Sequence, residues 1–337
     1  MAVFVKASIP LEEWVRDLYD KFGQRKPMGQ SAPNARTPHY FLHRTFLGEN
    51  DLLIIFNTKR CRYRCHFCQL PQKSSKVFIP GKDILAQFKY VLKEMKHSLS
   101  VLDRLTLSNE GSILDNDTFP ADTLLTIARC IPQLRRVRTF VIETLIEFVD
   151  SSVIYQIKKA APKVVVDILT GFETYEPHIR DEVLVKNESL SDFEAGLDKV
   201  AESGATFSSY ILFKPGPTMT DEEAFIEAEK SIDYVVDQCQ CRGITLNYIR
   251  INPMYAAKGS PWAKIAKATP KYQPPRLTDV MRLAEKKAKE GLKIYIGLST
   301  ESLDEVGCNY MSREDYSPAL IKPIKLFNDC KISSFGG

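Results

Sequence analysis

The chain has 337 residues with 46 Lys and Arg against 42 Asp and Glu, a net charge of +4, and is 44% hydrophobic and 26% charged. That balance describes an ordinary globular protein of one large domain or two ordinary ones, and so small a charge gives no general reason to expect a nucleic-acid partner. No run approaches about 18 consecutive apolar residues, and "MAVFVKASIPLEEW" turns acidic where a signal peptide stays apolar, so a cytoplasmic protein without membrane association is expected.

Residues 1–50 read as an N-terminal extension with one amphipathic helix in "PLEEWVRDLYDKF". From 51 to 255 one theme repeats, an apolar β-branched run followed by a longer amphipathic segment. Strands are expected at 51–57, 102–108, 136–143, 163–173, 205–214 and 243–252, with helices near 82–97, 120–131, 151–160, 190–203 and 220–238. Helix starts are marked by "SLSDFEAG" and by the three acids of "TMTDEEAF". Residues 256–337 read as a C-terminal extension packing on this unit, with a helix near 277–290 and a strand at 292–298. Strands alternating with helices imply parallel βα units with right-handed crossovers, and six units are too few for a closed eight-stranded barrel. The expected fold class is α/β, an open partial (β/α)6 TIM-like barrel with N- and C-terminal extensions, its site at the C-terminal ends of the strands.

The first βα loop holds "KRCRYRCHFCQLP", with Cys61, Cys65 and Cys68 in a CxxxCxxC spacing. Between Lys21 and Arg64 nine basic residues face only Glu49 and Asp51, so positive potential is expected at the loop's entry. Eight cysteines, three of them clustered, fit a reducing compartment and a metal better than a disulfide framework. The other five are read as core or surface thiols, with Cys239 and Cys241 kept as a weak second metal pair. A structural zinc site wants four ligands, and His66 would have to fold back between its neighbours to be the fourth. Three thiols can instead hold three irons of a [4Fe–4S] cluster and leave the fourth open to chemistry.

CxxxCxxC with Phe67 before its last cysteine, in the loop after the first strand of a βα array, resembles the radical S-adenosylmethionine (SAM) superfamily over about residues 50–255. The resemblance implies a [4Fe–4S] cluster on Cys61, Cys65 and Cys68 whose open iron chelates the amino and carboxylate groups of SAM, and one-electron cleavage of a C–S bond to give a carbon radical. Arg60, Arg62 and Arg64 would favour the anionic cluster, and Phe67 would pack on the adenine.

The remaining strand ends supply polar groups. "TLSNEGS" places Ser108, Asn109 and Glu110 where the superfamily holds the SAM ammonium, although the paired glycines of that motif are missing. Glu143, Glu173, Lys214 and Asn252 end the next strands; a lone charge there is as readily a helix cap or salt bridge, but the succession favours a cleft. Gly171, Glu173, Thr174, Arg180, Lys186, Gly204 and "LFKPG" are similar to the radical SAM domain of the Elongator catalytic subunit and the archaeosine-synthase radical SAM subunit. That likeness implies that Glu173 reaches the SAM ribose or amine and that Arg180 pairs with its carboxylate.

The expected function is thus an enzyme that cleaves SAM to functionalise a small-molecule substrate, with flavodoxin or ferredoxin as electron donor. Two specialisations stay open. One is aminocarboxypropyl transfer, since "RCxxxCxxC" on a compact chain also resembles the radical SAM enzyme of arsinothricin biosynthesis. The other is tRNA modification, where the absence of a recognised RNA module counts against an RNA partner.

Overall fold

The computed structural model describes residues 34–68, 74–254, 256–257, 260–298, 309–310 and 318–335. The helix expected at "PLEEWVRDLYDKF" and the thiol of Cys308 lie outside the described residues.

The expected parallel strands are all present: β2 (Glu49–Phe56), β3 (Arg104–Asn109), β4 (Thr139–Glu143), β5 (Val165–Glu173), β6 (Thr206–Phe213) and β7 (Leu246–Pro253). Two more strands extend the sheet, antiparallel β1 (Tyr40–Phe46) on β2 and parallel β9 (Ile294–Ile296) on β7. The order β1-β2-β3-β4-β5-β6-β7-β9 makes one curled eight-stranded partial barrel, so part of each extension belongs to the sheet. A small antiparallel pair, β8 (Ala256–Ala257) with β10 (Asn309–Tyr310), stands apart.

Helices α1 (Gly81–Glu94), α2 (Ala121–Cys130), α3 (Ser151–Ala160), α4 (Leu190–Ser203) and α5 (Asp221–Cys241) cover the outer face, followed by α6 (Pro261–Ala268), α7 (Leu277–Lys289) and α8 (Pro318–Asn328). Local chemistry sets their ends. α4 and α5 open on capping boxes, Ser189 with Asp192 and Thr220 with Glu223, and α4 closes on Gly204 at φ 62°. Residues of even number on β2 and odd number on β3, such as Leu52, Ile54, Leu105 and Leu107, face these helices in one continuous core. The alternating set faces the lumen.

The lumen floor carries charge. Arg104 is 2% exposed, with Asp51 and Asp167 at 4.0 and 3.9 Å, and its guanidinium lies over the rings of Phe46 and Tyr248. Phe46 stacks on Tyr295 of β9 at 4.3 Å between centroids, so first and last strands meet across the floor. Asn328, ending α8, closes the seam. Its side chain pairs with both the N–H and the carbonyl of Ile296 at 2.9 and 2.8 Å, while its own carbonyl accepts from Leu47 N at 3.0 Å. An amide side chain therefore stands in for the missing neighbour strand of an edge. Among the described residues no helix is long and apolar enough to cross a membrane.

Candidate active site

The cysteine loop is anchored at the mouth of the barrel through its backbone. Cys61 N donates to Glu110 O beyond β3, His66 N to Leu184 O beside the π-helical turn Ile179–Val183, and His66 O accepts from Trp262 N of α6, at 3.1, 2.8 and 3.0 Å. Trp262 is wholly buried and donates from Nε1 to Pro215 O at 2.7 Å, so the start of α6 clamps the loop from outside. Phe67 packs in the same apolar cluster as Trp262, Leu184 and Met254.

Cys61, Cys65 and Cys68 line one cavity of about 380 Å³, with Lys59, Arg60, Arg64, Asp115 and Thr118 among its other walls. His66 Nδ1 sits 3.1 Å from Val183 O, turned to backbone, and Asp115 and Asp117 are held by Arg62, which leaves three sulfurs as the donor set among the described residues. Among the described residues no three His, Cys, Asp or Glu side chains are already gathered at metal-binding distance. Burial pushes the Cys65 thiol up to about 11, with Lys186 opposing, and raises Cys61 as well. Burial thus favours the protonated form of Cys61 and Cys65 in the chain alone, as expected of soft ligands that give up protons to a metal. Three cysteine sulfurs on one cavity, the only thiols there among the described residues, fit an iron–sulfur cluster with one open corner.

Arg62 also lines the cavity, and its charge is felt at Cys61. Its Nη2 bonds Asp115 and Asp117 at 2.9 and 3.0 Å, and its guanidinium covers Phe148, so it ties the cysteine loop to the loop after β3.

Glu110 is 2% exposed at the mouth, with His39 Nε2 2.8 Å from its Oε2. Sequence reasoning missed His39; the only signal was the alternating "YFLHRTF" that follows it and forms β1. Asn109 shapes the turn, its Nδ2 reaching Thr58 Oγ1 and its Oδ1 accepting from Gly111 N. A side chain at Gly111 would meet Thr118 at 3.3 Å and the Cys61 backbone at 3.5 Å, which suits the close approach of the cysteine loop.

Glu173 ends β5 at φ 72° and Lys214 follows β6 at φ 65°, both in the left-handed region that disfavours a side chain. The Glu173 carboxyl folds back over Gly171, where a Cβ would fall 2.0 Å from Oε1. Burial pushes its pKa to about 7 against the opposing charges of Lys186 and Arg180. Its charge, like that of Lys186, is felt at Cys65. Lys186 pairs with Glu188 at 2.9 Å, and Arg180 Nη1 donates to Phe172 O at 2.8 Å, so Arg180 braces the strand end. Lys214 bonds Asp221 at 2.7 Å in the first turn of α5. The structure thus gathers the cysteines, Glu110 and Glu173 at the mouth. Ser108, Glu143 and Asn252 lie on lumen-facing positions below it.

The raised Glu173 carboxyl has a consequence for stability. Below its ordinary value of 4.5 it is neutral whether the chain is folded or not. From there to about 7 only the unfolded chain sheds the proton, so stability falls as pH rises, and above that the penalty is constant. Glu173→Gln should therefore be more stable than the native chain by about 2–3 kcal/mol near pH ~8, the gap closing toward pH ~5. Urea titrations at the two pH values check this; an equal or less stable variant at the higher pH would contradict it.

The fold has a known counterpart. The chain shares it with methylornithine synthase (PylB). The two align over 98% of this chain and 96% of that one with a TM-score of 0.51 at 15% identity. Coproporphyrinogen III oxidase (HemN) of Escherichia coli, described as a radical SAM enzyme, aligns over 69% of this chain and 50% of that one at TM-score 0.44 and 11% identity. An uncharacterised protein of Methanocaldococcus jannaschii is 23% identical over 286 residues, 83% of this chain and 76% of its own. No protein-family model matches the chain.

Proposed function

We propose that the chain is a radical SAM enzyme that reductively cleaves SAM at a [4Fe–4S] cluster and so functionalises a small-molecule substrate. The observation that carries this is the set of three thiols lining one cavity at the C-terminal mouth of a partial barrel, with no fourth ligand turned to them among the described residues. Bound there, the cluster would supply the electron that breaks a C–S bond of SAM.

The chain's own residues would do the rest. Cys61, Cys65 and Cys68 hold the cluster. Glu110, buried beside the loop, accepts the SAM ammonium, and its burial strengthens that contact by excluding water. Glu173, at the end of β5 with its charge felt at Cys65, would meet the ribose or amine. Lys59, Arg60 and Arg64 give the cavity rim a positive edge to which an acidic donor such as flavodoxin or ferredoxin would dock.

Anaerobic incubation of the reduced protein with SAM, followed by mass analysis, tests the reading. 5′-Deoxyadenosine is the expected product. 5′-Methylthioadenosine would instead select aminocarboxypropyl transfer, and intact SAM would sink the proposal. Glu110→Gln should weaken SAM binding by about 10- to 100-fold, the loss of one charged hydrogen bond; unchanged affinity would take Glu110 out of the site.

A further inference from the structure

The segment ahead of the βα array reaches the mouth of the barrel. β1 runs antiparallel to β2, with Tyr40 opposite Ile55 and Phe46 opposite Glu49. Its first residues therefore lie where the parallel strands finish, at the same end of the sheet as the cysteine loop. Gln87 of α1 ties the approach to that loop. Its Nε2 donates to Ala35 O and Asn57 O, both at 2.8 Å, and its Oε1 accepts from Asn57 N at 2.9 Å. Thr37 N closes a turn on Asn34 O at 3.2 Å, and Arg36 Nε pairs with Asp83 Oδ1 at 3.1 Å. His39 stands between this anchored turn and the first residue of β1, so its backbone has little freedom.

The His39 ring meets Glu110. Nε2 lies at ion-pair distance from Oε2, 2.8 Å, with the two side chains 8% and 1% exposed. Neither carboxylate oxygen has a further partner among the described residues, so Oε1 is buried and unpaired. A buried carboxylate oxygen without a partner is costly, and a cationic ligand would remove the cost. The backbone of Glu110 is fixed separately: its carbonyl accepts from Cys61 N at 3.1 Å, and Cys61 lines the cysteine cavity. With the main chain held by the cysteine loop and Oε2 by the ring, the free direction of the carboxylate is that of Oε1.

We propose that His39 is a positioning residue for Glu110: it holds Oε2 and leaves Oε1 to take the SAM ammonium. The inference rests on the proposed function for that role of Glu110, and adds that a residue outside the βα array completes the SAM site. A neutral ring with its proton on Nε2 orients the carboxylate without cancelling its charge, so the full charge meets the ammonium. Without the ring the carboxylate would turn among its rotamers and lose affinity through that freedom.

The test measures the Kd of the full-length reconstituted chain for SAM and for the SAM analogue without the amino group, by anaerobic equilibrium dialysis, together with iron content and melting temperature. His39→Phe keeps the volume of the ring and loses its nitrogens. It should bind SAM about tenfold more weakly and the analogue as the native chain does, with iron and melting near native. His39→Gln, whose amide N–H can reach the same oxygen, should recover most of the loss. Should His39→Phe fail to fold, His39→Leu against His39→Gln gives the same comparison. In a Glu110→Gln background His39→Phe should cost nothing more, since the two act through one contact. Equal losses for SAM and the analogue, or an unchanged SAM affinity while Glu110→Gln weakens it, overturn the inference and leave the role of Glu110 standing. A native chain that binds no SAM, or a Glu110→Gln variant that binds it unchanged, removes both.

Discussion

Cys65→Ala is expected to assemble no cluster and to cleave no SAM above background, and Cys61→Ala and Cys68→Ala should behave alike. Each thiol is one of three donors, with His66 turned to the Val183 carbonyl, so no described neighbour is placed to take over. Folding should survive the change. All three cysteines are only partly buried, and the hydrogen bonds anchoring the loop to Glu110, Leu184 and Trp262 come from backbone groups that alanine keeps. The measurement is iron content per chain together with the melting temperature: iron should fall toward zero while melting stays near native. Cys239→Ala is the contrasting case. Cys239 is buried in the core, where burial pushes its thiol up to about 12, and its loss should cost about 1 kcal/mol of stability and no iron. Full iron in any of the three cluster variants would refute the ligand assignment.

Arg104→Met should unfold the barrel more readily, by about 3–5 kcal/mol. Arg104 lies against two carboxylates at the lumen floor, Asp51 and Asp167, and burial already raises the pKa of Asp167. Thr206 and Ser208 bond Asp167 at 2.6 and 2.7 Å, and Thr106 bonds Asp51 at 2.8 Å, but hydroxyl groups carry no compensating charge. Removing the guanidinium leaves Asp167 buried without a cation beside Asp51, which keeps Arg44 at 2.9 Å, and also strips the cation from the faces of Phe46 and Tyr248. Methionine keeps much of the volume, so the loss reads charge more than cavity. Urea midpoints measure it. Adding Asp167→Asn to Arg104→Met should recover part of the loss, a coupling that additive effects would not give. An unchanged midpoint for the single variant would show that the floor is held by its rings and not by its charges.

The parallel strands were legible because each is a short apolar run followed by an amphipathic helix with its own start signal. Ser189 with Asp192 and Thr220 with Glu223 do in the structure what their spacing suggests. β1 was not legible. "YFLHRTF" mixes charged and apolar residues because Arg44 faces a polar lumen, where it bonds Asp51 at 2.9 Å. The closing role of Asn328 was equally hidden, since an amide that mimics a strand is defined only by what it meets in space. Within the site, the cysteine loop could be read from its spacing, which is local. Arg180 and Lys214 could not be assigned by position alone: one braces the Phe172 carbonyl and the other pairs with Asp221 in the first turn of α5. A charge at a strand end is required by the site or by the next helix, and only the side-chain direction separates the two.

The most direct test of the account is anaerobic reconstitution of the full chain with iron and sulfide, read by iron count and visible absorption. The account predicts about four irons per chain and a broad visible band that dithionite bleaches and that SAM perturbs. One tightly bound zinc with no such band would contradict it.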